Sequence, residues 1–246
     1  MRAIFAQESR RLAKYELETC NKFDHVVWVT AEDRRALNKI SNGDGDGMFR
    51  NNQVIPICVD PEVTNEIRFN KNANRITFLG GMHWPPNAAG IDWFFQEVWP
   101  LVQKMASDSI LTVIGKNPPS TLVRAQSVDS NIEVTGYADN PQRYLEETAA
   151  FIVPLHAGGG MRVKIVDAWS WGLPVVSTSV GAEGINTTKS RDILIADSPS
   201  EFADAVLTLL NNREHARRIA KAGRRSVEMN YNWRHVYKLW DRVYPT

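Results

Sequence analysis

Hydrophobic positions along most of this chain follow two alternating periods. Short apolar runs indicate buried strands, in chain order RITFLG (75–80), ILTVIG (110–115), IEVTG (132–136), AAFIVPL (149–155), PVVSTS (174–179) and DILIA (192–196). The segments between them carry apolar residues at the spacing of amphipathic helices. Strands that alternate with such helices predict an α/β fold, a Rossmann-like parallel sheet with helices on both faces.

Local signals mark where several helices begin and end. Thr30 and Asn87 are predicted N-caps, the second for a helix that runs through Gln103. Ser198 begins a Ser-Pro-Ser-Glu sequence, which predicts a capping box. A further helix is predicted for 162–171, where the following glycine and proline end it.

The first 60 residues form a smaller series of their own. Their pattern predicts a polar helix, a strand, a second helix and a second strand, at 1–22, 25–30, 31–40 and 53–60. One such unit is too short to bury a sheet on both faces, so it is expected to be the remnant of a larger domain. We therefore predict a domain remnant at 1–60, a linker at 61–73 and a second domain at 74–246.

The most informative segment is GGGMRVKIVDAWSWGLPVV (158–176). Its three glycines, Gly158, Gly159 and Gly160, allow the backbone to approach a ligand closely. The helix that follows presents free N–H groups and a positive dipole end, to which Arg162 and Lys164 add two cations. Because arginine and lysine are typical phosphate ligands, the segment predicts an anion site.

The same helix carries a carboxylate close to this anion site. Asp167 lies three residues after Lys164, so the two are predicted to share a helix face. A carboxylate at that depth suits hydrogen bonds from ribose hydroxyls. The alternative interpretation is a glycine-rich surface loop with a solvated Lys164–Asp167 pair.

Two other loops follow predicted strands. Gly80 and Gly81 precede a helix and offer a second phosphate cradle, and His83 could donate to a phosphate or a sugar hydroxyl. The alternative is a loop in which Trp84 simply packs. SVGAEG (179–184) carries glycines with free N–H groups and Glu183 as a hydroxyl acceptor, a weaker signal. Ligands of parallel sheets bind beyond the carboxyl ends of the strands, where all three loops belong.

Composition limits the class of protein. The net charge is +1, so there is no global field that would attract nucleic acid or an anionic membrane. Only two cysteines are present and no apolar run has the length of a membrane span, which favours a soluble protein in the reducing cytoplasm. A peripheral membrane contact stays compatible with the sequence.

Metal-binding patterns are weak, and no metal is expected. Asn42, Asp44, Asp46 and Gly47 match the start of an EF-hand loop, but Gln53 stands where the bidentate glutamate belongs. The five histidines form no pair with metal-ligand spacing. There is also no G-x-G-x-x-G and no Walker loop, which removes the usual support for NAD or ATP.

Taken together, the motifs resemble the C-terminal domain of glycosyltransferase family 4, the group 1 glycosyl transferases. The resemblance runs from about Arg75 to Tyr244 and rests on FLGGMHWPPNAAGIDWF, ILTVIG, VTGYADNPQRYL and IVPLHAGGGMRVKIVDAWSWGLPVVSTSVGAEG, in that order. The first 60 residues resemble the end of the family's N-terminal domain, and YNWRHVYKLWDRVY resembles the helix that crosses back toward it.

The resemblance implies a GT-B fold and a retaining enzyme that transfers sugar from a UDP-, GDP- or ADP-sugar, usually without metal or cofactor. The diphosphate would meet the 158–160 backbone, Arg162 and Lys164 from one side and the Gly80–Gly81 loop with His83 from the other. The base would lie near Gly136 and Tyr137, and the 179–184 loop, with Gly181 and Glu183, would lie on the sugar side. The acceptor, whether glycan, lipid or small molecule, stays unidentified.

The chain departs from the family in two ways. The family's E-x7-E pair would fall on Gly159 and Asp167, so the first acid is absent and the second is shortened. Most of the N-terminal domain is also missing, so these residues are expected to bind donor without turnover. Two alternatives stay open: a non-catalytic nucleotide-sugar-binding or partner-binding domain, and a nucleotide-sugar epimerase or hydrolase of related fold.

Overall fold

A computed structural model describes residues 2–40 and 51–244. The positions that match an EF-hand, Asn42, Asp44, Asp46 and Gly47, lie outside the described residues, as does the glycine-rich connector around them. The strands are β1 (Val26–Trp28), β2 (Asn52–Val54), β3 (Arg75–Leu79), β4 (Ile110–Ile114), β5 (Ile132–Gly136), β6 (Thr148–Val153), β7 (Val175–Ser177) and β8 (Leu194–Ile195).

Helices separate most of these strands. They are α1 (Arg2–Cys20), α2 (Ala31–Ile40), α3 (Pro85–Trp93), α4 (Trp99–Met105), α5 (Ser120–Gln126), α6 (Gln142–Leu145), α7 (Val163–Ser170), α8 (Pro199–Asn211), α9 (Arg213–Asn230) and α10 (Trp233–Val236). A π-helical turn, Phe94–Val98, joins α3 to α4, and a 3-10 helix, Tyr237–Arg242, follows α10. None of the helices in the described segments is long and apolar enough to cross a membrane.

Six strands form one parallel sheet in the order β5-β4-β3-β6-β7-β8. The first strand of this sheet along the chain is β3, which lies near its middle. The next two strands, β4 and β5, lie on one side of β3, and β6 lies on the other side. Such an arrangement has its topological switch point between β3 and β6, and ligands of doubly wound sheets bind in the crevice at the carboxyl ends there. The loops that follow β3 and β6 contain the two predicted glycine segments.

Both faces of this sheet are covered, as the sequence predicted. On one face α3, α4 and α8 bury a cluster that includes Phe78, Phe94 and Phe202. On the other face α7 and α9 bury a second cluster around Trp169, whose ring lies so close to Gly223 that a Cβ there would approach Cδ1 to 2.3 Å. The parallel α/β sandwich is confirmed.

The first part of the chain adds a two-stranded parallel sheet, β1 with β2. Ile55 packs there with Val236 and Val243 from the C-terminal end of the chain. The N–H of Val59 donates to the carbonyl of Tyr231 at 2.9 Å, which joins the segment after β2 to the segment after α9. The last segment of the chain thus packs against the N-terminal piece, whereas the crossing helix and the domain limits stay predictions.

Several local predictions were wrong or incomplete. The single helix expected from Asn87 to Gln103 begins at Pro85, with Trp84 as its N-cap residue, and is interrupted by the π-helical turn. Pro100 explains the interruption, because it has no N–H and its ring collides with the carbonyl one turn earlier in a regular helix. The second strand of the N-terminal piece is also shorter than predicted, and α5 was not predicted at all.

Candidate functional site

The loops after β3 and β6 meet at the switch point through a side-chain bridge. Asn87, near the start of α3, donates from Nδ2 to the carbonyl of Gly81 at 2.9 Å. Its Oδ1 accepts a hydrogen bond from Nζ of Lys164 at 2.6 Å. A Cβ at Gly80 would lie only 2.8 Å from the same Nζ. The lysine of the second glycine segment therefore reaches into the first, as a shared anion site requires.

Lys164 is a cation in an unusual environment. Its Nζ lies 4.7 Å from the centre of the Phe78 ring, a cation–π distance. Burial, together with repulsion from Arg162, lowers the pKa of Lys164 to about 8. The ammonium is thus held among poorly hydrating groups, where an anionic ligand interacts with it more strongly than in water.

The alternative interpretation, in which Lys164 and Asp167 form a solvated pair, is wrong. Among the residues that the structure describes, no ion pair joins them, and Lys164 turns to Asn87 instead. Asp167 is partly buried on α7, and its burial raises the pKa of the carboxyl group to about 6. This overturns the interpretation of 158–176 as a surface loop with a solvated ion pair.

Arg162, directly before α7, shapes the glycine loop from within. It is only 4% exposed, and its Nη1 donates to the carbonyls of Gly159 at 2.5 Å and Gly160 at 2.8 Å. Burial lowers the pKa of this guanidinium. In the described residues its Nε has no hydrogen-bond partner. Arg162 therefore lies at the predicted anion site, with three of its five donors held by the carbonyls of Gly159, Gly160 and Val180.

Gly158 lies between two large side chains. Its φ is +134°, and a Cβ there would come within 3.0 Å of both Cη2 of Trp84 and Nη2 of Arg162. Gly160 also has a positive φ, +75°, whereas a Cβ at Gly159 would meet open space. The loop thus needs glycine at 158 for close packing and at 160 for backbone conformation.

His83 folds back over its own loop. A Cβ at Gly81 would lie 2.5 Å from Cε1 and 2.7 Å from Nδ1 of the imidazole, so the ring covers the glycine. The side chain is exposed on its outer side. His83 is therefore an exposed side chain over the loop after β3, whose Gly81 carbonyl is held by Asn87.

The ends of β4 and β5 extend the crevice on one side. Gly136 has a φ of +66° with no atom near a Cβ position, and its carbonyl accepts the N–H of Gly115 at 2.7 Å. Tyr137 is 64% exposed, and Nζ of Lys116 lies 4.5 Å from the centre of its ring. An exposed aromatic face beside a cation is a suitable surface for a nucleobase.

The 179–184 loop closes the other side, but its glycines act differently from the prediction. Gly181 is buried, and its N–H already donates to Oγ1 of Thr178 at 2.8 Å. A Cβ at Gly184 would lie 2.7 Å from Cγ2 of Thr30 and 3.2 Å from the carbonyl oxygen of Gly160. Glu183 is exposed. The loop therefore joins the glycine segment to the N-terminal piece at Thr30.

Sequence reasoning missed several residues of this site. Asn87 was assigned only as a helix cap and Trp84 only as a packing residue, and Lys116 was located only by its place after the strand at 110–115, at the end of the sheet where ligands bind. The Asn87–Lys164 contact spans 77 positions, so no local pattern reveals it. Over residues 2–40 and 51–244 there is no group of three histidine, cysteine or carboxylate side chains that could hold a metal ion.

Comparisons with known proteins agree with this architecture. A protein of the cps region of Klebsiella pneumoniae, described as an uncharacterized 44.6 kDa protein, is 30% identical over 177 residues, which are 69% of this chain and 46% of that protein. The chain spans about half the length of the curated relatives it matches.

Two solved structures share the fold at low sequence identity. A point mutant of Staphylococcus aureus TarM, in complex with fondaparinux, α-GlcNAc-glycerol and UDP, is 18% identical with a TM-score of 0.77, and the match covers 95% of this chain and 46% of that one. Anabaena Alr3699/HepE in complex with UDP and glucose is 11% identical with a TM-score of 0.74, and the match covers 97% and 67%. The six-stranded sheet with its covering helices is thus the C-terminal domain of a GT-B fold.

The family model for glycosyl transferases group 1 matches residues 73–212, which contain β3 to β8 and both glycine segments. This chain belongs to the glycosyl transferases group 1 family.

Proposed function

We propose that the crevice between β3 and β6 binds the nucleoside diphosphate of a UDP-, GDP- or ADP-sugar. In this proposal the intact enzyme transfers the sugar, with retention and without a metal, to a glycan, lipid or small-molecule acceptor. The observation that carries the proposal is the convergence of two glycine loops on one buried ammonium, that of Lys164. UDP in the TarM structure and UDP with glucose in the Anabaena structure support the class of ligand.

Lys164 is the main ligand of the diphosphate in this proposal. Asn87 takes one of its three donors, which leaves two for phosphate oxygens. The backbone of Gly80 and Gly81, with the His83 imidazole, faces the same space from β3. The buried guanidinium of Arg162 adds positive charge and holds the 158–160 backbone in shape.

The remaining contacts follow from position. Asp167, one turn into α7, would accept ribose hydroxyls, and Gly136 with Tyr137 would receive the base. Glu183 would accept a sugar hydroxyl from the 179–184 loop. Gly181 supports that loop by packing, since its N–H is already donated.

We expect these 246 residues to bind donor without transferring sugar. Holding donor and acceptor together contributes about 7–11 kcal/mol to such reactions. Within the described residues, the part that reaches the 158–184 loops from the N-terminal side is the segment around Thr30, which carries no glycine loop of its own. Incubation with the tightest-binding nucleotide sugar and mixed acceptors, followed by mass spectrometry, checks this; multiple-turnover product would contradict it. If a longer enzyme turns over, NMR of the anomeric proton of its product tests retention.

Calorimetric titration with UDP, GDP, ADP and their sugars tests donor binding. Losing one charged hydrogen bond, worth about 1.5–3 kcal/mol, should weaken binding in Lys164→Met by about 10- to 150-fold. Lys221→Met is the matched control, because Lys221 is an exposed lysine on α9. The proposal fails if none of these nucleotides binds, or if Lys164→Met binds as the parent does. A sugar-nucleotide binder that never transfers, even within a longer chain, would support the non-catalytic alternative.

A further inference from the structure

Asn87 is a polar side chain in a place where a helix normally buries apolar ones. It is the third residue of α3 and is 6% exposed. The two prolines before it occupy the first positions of the helix, where a missing N–H costs nothing. The side chain of Asn87 caps no helix but points between the β3 loop and α7.

Both ends of the Asn87 amide are used. Nδ2 donates to the carbonyl of Gly81, and Oδ1 accepts from Nζ of Lys164 at 2.6 Å. Reversing the amide would turn its NH₂ group toward an ammonium and its oxygen toward a carbonyl, so this one orientation is fixed by its partners. Aspartate at this position would keep only the acceptor, and leucine would keep neither contact.

The two contacts of Asn87 reach both sides of the crevice, the loop after β3 through Gly81 and α7 through Lys164. Lys164 has a flexible four-carbon stem, and without an acceptor its buried ammonium would be left with an unpaired charge. The carbonyl of Gly81 accepts from Asn87 and, at 3.4 Å, from the backbone N–H of Trp84, so Asn87 ties the loop after β3 to the side chain that holds Lys164. Lys164 also lies over the ring of Phe78, and the positive charge of Arg162 repels it.

We propose that Asn87 is a positioning residue, which holds the Lys164 ammonium and the Gly81 carbonyl in the arrangement that receives a diphosphate. This inference rests on the proposed function, since it assigns a further residue to the same site. Asn87 acts through Lys164 and is therefore not a catalytic residue.

A double-mutant cycle tests the inference. UDP affinity is measured by calorimetry for the parent, Asn87→Leu, Lys164→Met and the double variant. We expect Asn87→Leu to weaken UDP binding about tenfold or more, and the double variant to bind no more weakly than Lys164→Met. Equal weakening by Asn87→Leu in both backgrounds, or parent-like affinity in Asn87→Leu, would overturn the proposal.

The cycle needs a control for simple damage to α3. Thr121→Val removes the hydrogen bond that Thr121, on α5, donates to Asp92, on α3, at 2.8 Å. We expect it to leave UDP affinity unchanged. Asn87→Asp keeps size and polarity if the leucine variant does not fold, and its carboxylate should weaken UDP binding by offsetting the lysine charge. UDP affinity at parent level in Asn87→Asp would count against the proposal.

A spectroscopic measurement separates this inference from the proposed function. In protein labelled with ¹³C at the lysine side chains, the Cε signal of Lys164 reports its pKa. Asn87→Leu removes an acceptor that favours the charged form, so the pKa of Lys164 should fall below that of the parent, whereas Thr121→Val should not change it. If the parent binds no nucleotide, the proposed function fails but this shift still decides whether Asn87 positions Lys164.

Discussion

Replacing Lys164 by methionine should make the unliganded protein more stable while it damages the ligand site. Burial and the Arg162 charge lower the pKa of Lys164 from 10.5 to about 8. At about 1.4 kcal/mol per pKa unit, keeping this ammonium charged in the native state costs about 3 kcal/mol. Methionine has a similar shape without the charge, but it leaves Oδ1 of Asn87 unpaired, which costs about 1–3 kcal/mol. The net gain should be about 1 kcal/mol at pH 7.

The sign of the pH dependence follows from the same shift. Between pH 8 and 10.5 the unfolded chain binds the Lys164 proton more tightly than the native protein does, so the free energy of unfolding of the parent rises across that window by up to about 3 kcal/mol. Below pH 8 both states are protonated and the full cost remains. Lys164→Met should remove this rise.

Urea unfolding at pH 7 and pH 10, for the parent, Lys164→Met and the exposed-site control Lys221→Met, measures both effects. A gain of about 1 kcal/mol should raise the melting temperature by about 2–4 °C in a protein of this size, while UDP affinity falls. The reasoning is refuted if Lys164→Met is less stable than the parent at pH 7 and keeps the parent's difference between pH 7 and pH 10. The control should behave as the parent throughout.

Three further predictions follow from the geometry of the site. Gly115→Ala would place a Cβ 2.0 Å from the carbonyl oxygen of Gly80, so it should lower the free energy of unfolding by more than about 2 kcal/mol. A Cβ at Gly159 meets no atom within 4 Å, so Gly159→Ala should change that free energy by less than about 0.5 kcal/mol. Equal effects of the two variants in urea unfolding would contradict this. The pKa of Asp167 is raised to about 6, so the parent's free energy of unfolding should fall by about 3 kcal/mol as the pH rises from 4 to 6. Asp167→Asn should remove this fall. An unchanged pH profile of stability would show that the carboxyl group is solvated. UDP binding should be the same in EDTA as with magnesium, since cations of the chain neutralise the diphosphate; binding restored only by magnesium or manganese would refute it.

Local patterns predicted much of the fold because the strands and helices of a doubly wound sheet produce apolar runs and capping sequences that can be recognised over a few residues. Each strand of the large sheet is an apolar run, and the capping box at Ser198 forms as expected, with Glu201 as its partner. The strand order then places the glycine loops after β3 and β6 at one switch point. The location of the crevice could therefore be inferred without any long-range contact.

The hydrogen bonds between side chains of the site could not be inferred in this way. The 3.6-residue period places Lys164 and Asp167 on one face of a helix, but it contains no information on what the opposing loop offers. Asn87 supplies a neutral acceptor for Lys164, which satisfies the ammonium without a second buried charge. The π-helical turn was missed for another reason: Pro100 signalled an interruption, and the apolar period continued across it.

Arg162 and Lys164, the two cations of the glycine segment, make different contacts, and their side-chain chemistry explains the difference. The Arg162 guanidinium is a planar group with five donors, suited to gather several carbonyls of a tight loop, and two of its bonds go to Gly159 and Gly160. A lysine there could not hold both carbonyls in one plane. Lys164 is a point charge with two donors left over after Asn87, which suits the phosphate oxygens of the proposed ligand. Because the arginine holds the backbone of the loop, Lys164 can remain in surroundings that lower its pKa. In the proposed function, those poorly hydrating surroundings strengthen its interaction with a phosphate anion.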